Sequence, residues 1–300
     1  MRHIISITDL SADEITAIIG KAVALKAGLR EPASKEQLPL SNKSMAMIFD
    51  KPSLRTRLSF EIGMTQLGGH AVYLAPADIG LGVRETIHDS AVVISSMADI
   101  IIARVASHES VQELAKYSSV PVINAMTDIE HPCQVLADLQ TIYERFGTFE
   151  SIKIAYIGDA NNNVTNSLAL AAELLGLEMR IAAPPGYEMT PDIKERTKSV
   201  MHYDDPKTAV KGANVVLTDT WVSMGKETER ANRLKDLLPF QVNKELMALA
   251  GPKAIFMHCL PAYRDKEVTA EVIDGPQSAV FSEAENRLHA QKALVLHILS

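Results

Sequence analysis

Cysteine is scarce in this chain. Cys133 and Cys259 are the only two in 300 residues, which excludes a disulfide framework and a cysteine-rich zinc site. Positive charge is in deficit: 30 Lys+Arg against 37 Asp+Glu leave a net charge of −7. General nucleic-acid binding is thereby excluded, and any anion site has to be assembled locally. No uninterrupted apolar stretch reaches the roughly 20 residues that span a bilayer, and the opening MRHIISITDLSADE lacks the apolar run of a signal peptide. No membrane partner and a cytoplasmic location are therefore expected. Low-complexity segments and short-period repeats are also missing. What remains is an ordinary globular composition, 47% apolar and 22% charged, with length enough for two domains.

The apolar pattern alternates between two kinds of segment. Residues 44–50 (SMAMIFD) form a short apolar run without polar alternation, as a buried parallel strand does. A helical stretch follows, with Leu54, Leu58, Ile62 and Leu67 as its apolar positions and Gly68-Gly69 as its stop. Strands are predicted at 70–75, 99–104 and 120–125, and helices at 85–98 and 108–117. A second series has strands at 152–158, 178–183, 214–219 and 254–259, with helices between them. The 131–146 stretch reads as one helix joining the halves, and 282–299 as a final helix. Repeated βαβ units predict an α/β fold of two domains, each a parallel sheet covered by helices.

Open parallel sheets bind ligands beyond the carboxyl ends of their strands. In the first half that rule selects Ser53 to Arg57, Arg104, and the stretch leading to His131 and Gln134. In the second half it selects Asn161 to Asn163, Asp219, and Cys259-Leu260-Pro261. These groups are expected to face a cleft between the domains. Ser53 is a good N-cap, and the amides of Leu54, Arg55 and Thr56 are then first-turn donors at the positive end of a helix dipole. Such a terminus, with the planar fork of Arg55 beside it, suits a phosphate. The plainer alternative is a surface helix whose arginines pair with Glu61. Arg104 closes an apolar strand and requires an anionic partner there. His131 is a candidate donor to a carbonyl oxygen or an ordinary structural histidine, with Pro132 opening its helix. Asp219 either caps a turn or holds an ammonium group, and Cys259 is either a small buried residue or a group at the site. Only Gly158 of a glycine-rich dinucleotide fingerprint is present, which disfavours a nicotinamide site.

These segments resemble, in order, the signatures of the aspartate/ornithine carbamoyltransferase family along essentially the whole chain. SLRTR (53–57) resembles its carbamoyl-phosphate signature, HPCQ (131–134) its His-Pro-x-Gln, DTWVSMG (219–225) the loop of the ornithine-using branch, HCLP (258–261) a further signature, and ENRLHAQKA (285–293) its C-terminal helix. The resemblance implies a carbamoyl-phosphate domain over 1–146, an ornithine domain over 147–281, and a C-terminal helix over 282–300 that returns to the first domain. It implies transfer of the carbamoyl group of carbamoyl phosphate to the side-chain amine of L-ornithine, giving L-citrulline and phosphate, without metal or organic cofactor. Arg55, Arg104, His131 and Cys259 are the implied catalytic groups. Ser53, Leu54, Arg55, Thr56, Arg104, His131, Gln134, Cys259, Leu260 and Arg287 are the implied carbamoyl-phosphate residues. Asn163, Asp219, Ser223 and Met224 are implied to hold ornithine. The stretch from Asp219 to Gly225, with Ser and Gly in a connecting segment, is expected to close on it. A homotrimer, or a multiple of trimers, and a role in arginine biosynthesis complete the expectation. Two positions depart from the pattern. Leu54 stands where the ornithine branch usually has Thr, as in relatives that use N-acylated ornithine, so an enzyme for that substrate or for putrescine is the alternative. The segment DIGLGVRETIHD (78–89) lacks a glutamine that some members send toward the phosphate, and Arg84 is a candidate substitute.

Overall fold

The structure is a computed structural model that describes residues 2–28, 38–222 and 227–300. The chain divides into two compact units, Met1–Gln140 with Glu285–Ser300, and Thr141–Ala284.

The first unit holds a four-stranded parallel sheet of β1 (Ser44–Phe49), β2 (His70–Leu74), β3 (Ile100–Arg104) and β4 (Val122–Met126), in the order β2-β1-β3-β4. Met45 to Phe49 and all of β3 are buried, which is why both read as unbroken apolar runs. The chain goes from β1 to one side and then crosses to β3 on the other. The carboxyl ends of β1 and β3, where Phe49 pairs with Arg104, therefore flank the point at which the strand order reverses. The second unit repeats the device with five parallel strands: β5 (Lys153–Ile157), β6 (Glu178–Ala182), β7 (Met201–Tyr203), β8 (Val215–Leu217) and β9 (Ile255–Met257), in the order β7-β6-β5-β8-β9. Its reversal lies between β5 and β8, so the turns after Ile157 and Leu217 flank it.

The Pro132–Phe146 helix carries the chain from the first unit into the second. The Val280–Leu299 helix brings it back, and from Glu285 onward it belongs to the first unit. Within that unit Lys26 Nζ donates to Asn286 Oδ1 at 2.7 Å and Lys292 Nζ to Gln66 Oε1 at 2.9 Å. The Ala12–Gly28 helix and β7 were not among the segments read from the pattern. β7 is three residues long at a sheet edge, too short for a period to register.

The helix expected after β1 runs over Leu54–Gln66, and its apolar positions Leu54, Leu58 and Ile62 lie outside the buried face, 70%, 47% and 41% exposed. The buried face is Thr56, Ser59, Phe60, Gly63 and Met64. The reason is the returning C-terminal helix. A Cβ on Gly63 would lie 3.0 Å from Lys292 Cγ, and Ser59 hydrogen-bonds to Gln291. Small and hydroxylated residues let that helix approach closely, and the larger aliphatic side chains are left outside.

Candidate functional site

In the first unit the side chains converge on one hydroxyl. Ser53 has extended backbone, caps the Leu54–Gln66 helix and accepts from the Thr56 amide at 3.4 Å. Its hydroxyl also lies 3.1 Å from Thr56 Oγ1. Arg104 Nη1 donates to the same Oγ1 at 3.3 Å and Arg287 Nη2 at 3.4 Å. Arg104 sits at the carboxyl end of β3, while Arg287 comes from the last helix, and both are buried. Arg287 Nη1 donates to Gln134 Oε1 at 2.7 Å, and Gln134 Nε2 donates to the buried carboxylate of Asp138 at 2.8 Å. That chain orients the Gln134 amide. With its amide oxygen toward Arg287, Gln291 accepts from Nε and Nη2 at 2.8 Å each and donates to Ser59. A hydroxyl offers two lone pairs, so two guanidinium groups and a serine crowd a single small acceptor. That arrangement suits an incoming polyanion.

His131 is buried beside this cluster. Burial, then the positive charges of Arg287, Arg104 and Arg55, hold its pKa well below the usual histidine value. The imidazole is neutral near pH 7, able to offer one N–H without adding charge. Burial likewise pushes the Cys133 thiol up to about 12, so Cys133 is an inert core residue. Arg55 is half-buried in the first helical turn. Arg57, its neighbour in the motif, takes the plainer role: Nε donates to Glu61 Oε2 at 2.9 Å and the guanidinium lies 4.0 Å from the Tyr73 ring centre. Leu54 turns its side chain outward, leaving its position in the helix N-terminus intact. Arg84 is exposed, and among the described residues no hydrogen bond joins it to the cluster.

In the second unit the described candidates sit on turns or, for Asn163, at a helix start. Asp219, half-buried after β8, accepts from the Thr220 amide at 2.7 Å and from Cys259 Sγ at 3.2 Å. Cys259 follows β9, and Leu260 beside it has φ 57° and precedes a cis peptide to Pro261. His258 is fully buried. Its Nδ1 accepts from the Leu260 amide at 2.9 Å, so the ring proton lies on Nε2, 3.2 Å from Glu267 Oε1. Glu267 also accepts from the Tyr263 amide at 2.6 Å, and Glu283 from the His258 amide at 2.8 Å. Asn163 opens the Asn163–Leu175 helix, capped by Asn162. Ser223 and Met224, and with them the expected closing loop as far as Gly225, lie outside the described residues.

Asp219, His258 and Cys259 are the one group among the described residues whose donor atoms cluster, within 4.8 Å of one another, as metal ligands would. Both nitrogens of His258 are already hydrogen-bonded, so the three do not converge on an ion as they stand. Sequence reading missed the supports: Asp138, Gln291, Asp159, Arg233 and Glu267. For Asp138 and Asp159 the available signal was a carboxylate within or just after an apolar run, which requires a buried partner; Arg233, Glu267 and Gln291 lie in polar segments that carry no such signal.

Comparison with known proteins gives a consistent result. The family model described as the carbamoyl-P binding domain of aspartate/ornithine carbamoyltransferase matches residues 2–144, and that for its Asp/Orn binding domain matches 150–298. The ornithine carbamoyltransferase of Methanosarcina acetivorans is 50% identical over 302 residues, covering 99% of each chain. That of Methylococcus capsulatus is 50% identical, covering 100% of this chain and 99% of its own. The solved ornithine carbamoyltransferase of Pyrococcus furiosus superposes with a TM-score of 0.92 at 47% identity, covering 98% of this chain and 96% of that one. The anabolic enzyme of Campylobacter jejuni gives 0.92 at 39% identity, with 99% of each covered.

Proposed function

The chain belongs to the aspartate/ornithine carbamoyltransferase family, and from that premise we propose how its residues carry the reaction. The reaction is transfer of the carbamoyl group of carbamoyl phosphate to the side-chain amine of L-ornithine, giving L-citrulline and phosphate.

On this reading the phosphate lies at the Ser53–Thr56 helix terminus and on Arg55, with Arg104 and Arg287 replacing part of its hydration shell. The amine of ornithine attacks the carbamoyl carbon in its neutral form. Charge then develops on the carbonyl oxygen, where the Arg104 guanidinium and the N–H of neutral His131 receive it, and Gln134 holds the carbamoyl amide. Collapse breaks the bond between the carbamoyl carbon and the phosphate oxygen, and the proton lost by the attacking nitrogen leaves with the phosphate. A neutral His131 donates without competing with the arginines for the dianion. Asp219 and Asn163 take the amino-acid head of ornithine, together with Ser223 and Met224. Cys259, hydrogen-bonded to Asp219, and Leu260 face the reacting amine. An unperturbed side-chain amine has a pKa near ~10.4, so the site has to favour its neutral form. Holding the two reactants in register supplies much of the rate.

The observation that carries the reading is the convergence of Arg104 and Arg287 on the Thr56 hydroxyl beside His131. The test is carbamoyl-phosphate-dependent product formation with ornithine, putrescine and N-acetylornithine side by side. Citrulline from ornithine is the expected dominant product, and dominance of either other amine would overturn the assignment. A role in arginine biosynthesis, a cytoplasmic location and a homotrimer or multiple of trimers belong to the same proposal. No helix among the described residues is long and apolar enough to cross a membrane. The exposed row of Leu54, Leu58 and Ile62 supports self-association, because three large aliphatic groups on one helical face gain from being covered.

A further inference from the structure

The second unit buries an arginine that the reaction does not use. Arg233 lies in the Arg230–Leu237 helix and is buried. Its Nε donates to the carbonyl oxygen of Trp221 at 2.6 Å, its Nη2 to Asp159 Oδ2, and its Nη1 to Glu229 Oε2 at 3.2 Å, while its plane lies 5.0 Å from the Tyr187 ring centre.

The two buried partners lie on the two turns flanking the strand-order reversal. Trp221 is two residues beyond Asp219 and is itself buried. Its indole lies against the backbone of Gly158, where an added Cβ would be 3.2 Å from Nε1. Asp159 belongs to the turn that leads to Asn163. Its Oδ1 accepts from the Asn161 amide at 3.0 Å, and its carbonyl accepts from Asn162 Nδ2 at 2.6 Å and from the Tyr156 hydroxyl at 2.8 Å. Asn162 in turn caps the helix that Asn163 opens. One guanidinium thus ties the turn presenting Asp219 to the turn presenting Asn163. A planar fork with fixed donor directions sets the spacing of two partners at once, which an ammonium group cannot do.

We infer that Arg233 is a positioning residue for the amino-acid substrate: without touching ornithine, it sets the separation of the groups that hold the amino-acid head. The inference rests on the proposed function above. Arg233→Lys retains the charge opposite Asp159 and loses the fork, so the KM for ornithine rises at least tenfold while the KM for carbamoyl phosphate stays within twofold. Arg233→Met leaves a buried carboxylate unpaired and can fail to fold. The pair Arg233→Met with Asp159→Asn removes both charges, and it is expected to fold and to keep the raised ornithine KM. Thermal unfolding and steady-state kinetics in both substrates, on all three variants and the wild type, read these outcomes. An ornithine KM within twofold of wild type in any folded variant overturns the inference. So does an equal rise for carbamoyl phosphate, and so does failure of the neutral pair to fold, since the clamp would then serve folding alone. Wild-type protein that does not carbamoylate ornithine would instead remove the functional reading, and that result is read before any variant is made.

Discussion

The two units build their candidate sites from opposite materials. In the first, fixed positive charge points at the place where substrate is proposed to bind: Arg104 from a strand end, Arg287 from the last helix and Arg55 from a helix terminus, with His131 kept neutral among them. In the second, the buried charges are spent on neighbouring protein groups. Asp159, Glu267 and Glu283 are buried and engaged with amides, His258 and Arg233, and the groups proposed to face substrate, Asp219, Asn163 and Cys259, stand on or next to turns those carboxylates brace. The difference matches the ligands proposed for the two sites. A compact dianion is held by preformed cations on regular elements, which need little adjustment. A zwitterionic amino acid needs several weaker contacts at set spacings, and turns provide those only when their backbone groups are pinned.

The comparison breaks first if the cationic cluster is not the phosphate site. Arg55→Ala is expected to lower kcat/KM by at least a hundredfold, about 3 kcal/mol of transition-state stabilisation. The circular dichroism spectrum should remain that of the wild type, because Arg55 is only half-buried. Near-normal turnover in a folded variant would sink the phosphate assignment.

Next in size is a packing test on the braced turns. Gly158 has φ +120°, and an added Cβ would meet Trp221 Nε1 at 3.2 Å and Thr218 Oγ1 at 3.3 Å. Gly158→Ala should cost on the order of 1–3 kcal/mol of stability, measured as a lower urea midpoint. An unchanged midpoint would mean the turn is not held as tightly as the comparison requires.

A smaller effect separates the units by pH. The folded-state pKa of His131 is depressed, so the fold favours its neutral form. That contribution is fully present above the unfolded value of 6.5 and is lost as pH falls below it toward the folded value. Stability should decline between pH 7.5 and 5.5 with a slope of at most about 1.4 kcal/mol per pH unit from this group, and His131→Gln should flatten the decline. Parallel slopes for the two proteins would show that His131 is not the group responsible.

The smallest expected effect is at Leu54. Its side chain is outside and its amide supplies the first-turn donor, so Leu54→Thr should change the KM for carbamoyl phosphate by less than threefold and leave ornithine the preferred amine. A switch toward N-acetylornithine on the reverse comparison, with the wild-type Leu present, would give that side chain a role in substrate choice.

Much of this arrangement is legible in the chain itself. Unbroken apolar runs mark β1, β3 and β5, and the strand-end rule places Ser53, Arg104, His131, Asp219 and Cys259 at or beyond carboxyl ends, because both depend on residues near in sequence. Ser53 as N-cap is equally local. The face of the Leu54–Gln66 helix is not. Its leucines obey a helical period, yet they lie outside, since the last helix of the chain, bearing Gln291 and Lys292, covers the side with Ser59 and Gly63. Nor does the chain announce that Arg287 reaches Gln134 across a separation of 153 residues, or that Arg233 meets Asp159 across 74. The sequence by itself determined the elements, their order and which polar groups stand at the sheet edges, all consequences of local periodicity and chain direction. Only the tertiary structure decided which charges are buried together and which helix face is covered, because burying an arginine requires a partner at hydrogen-bond distance, and that partner comes from wherever the fold returns the chain.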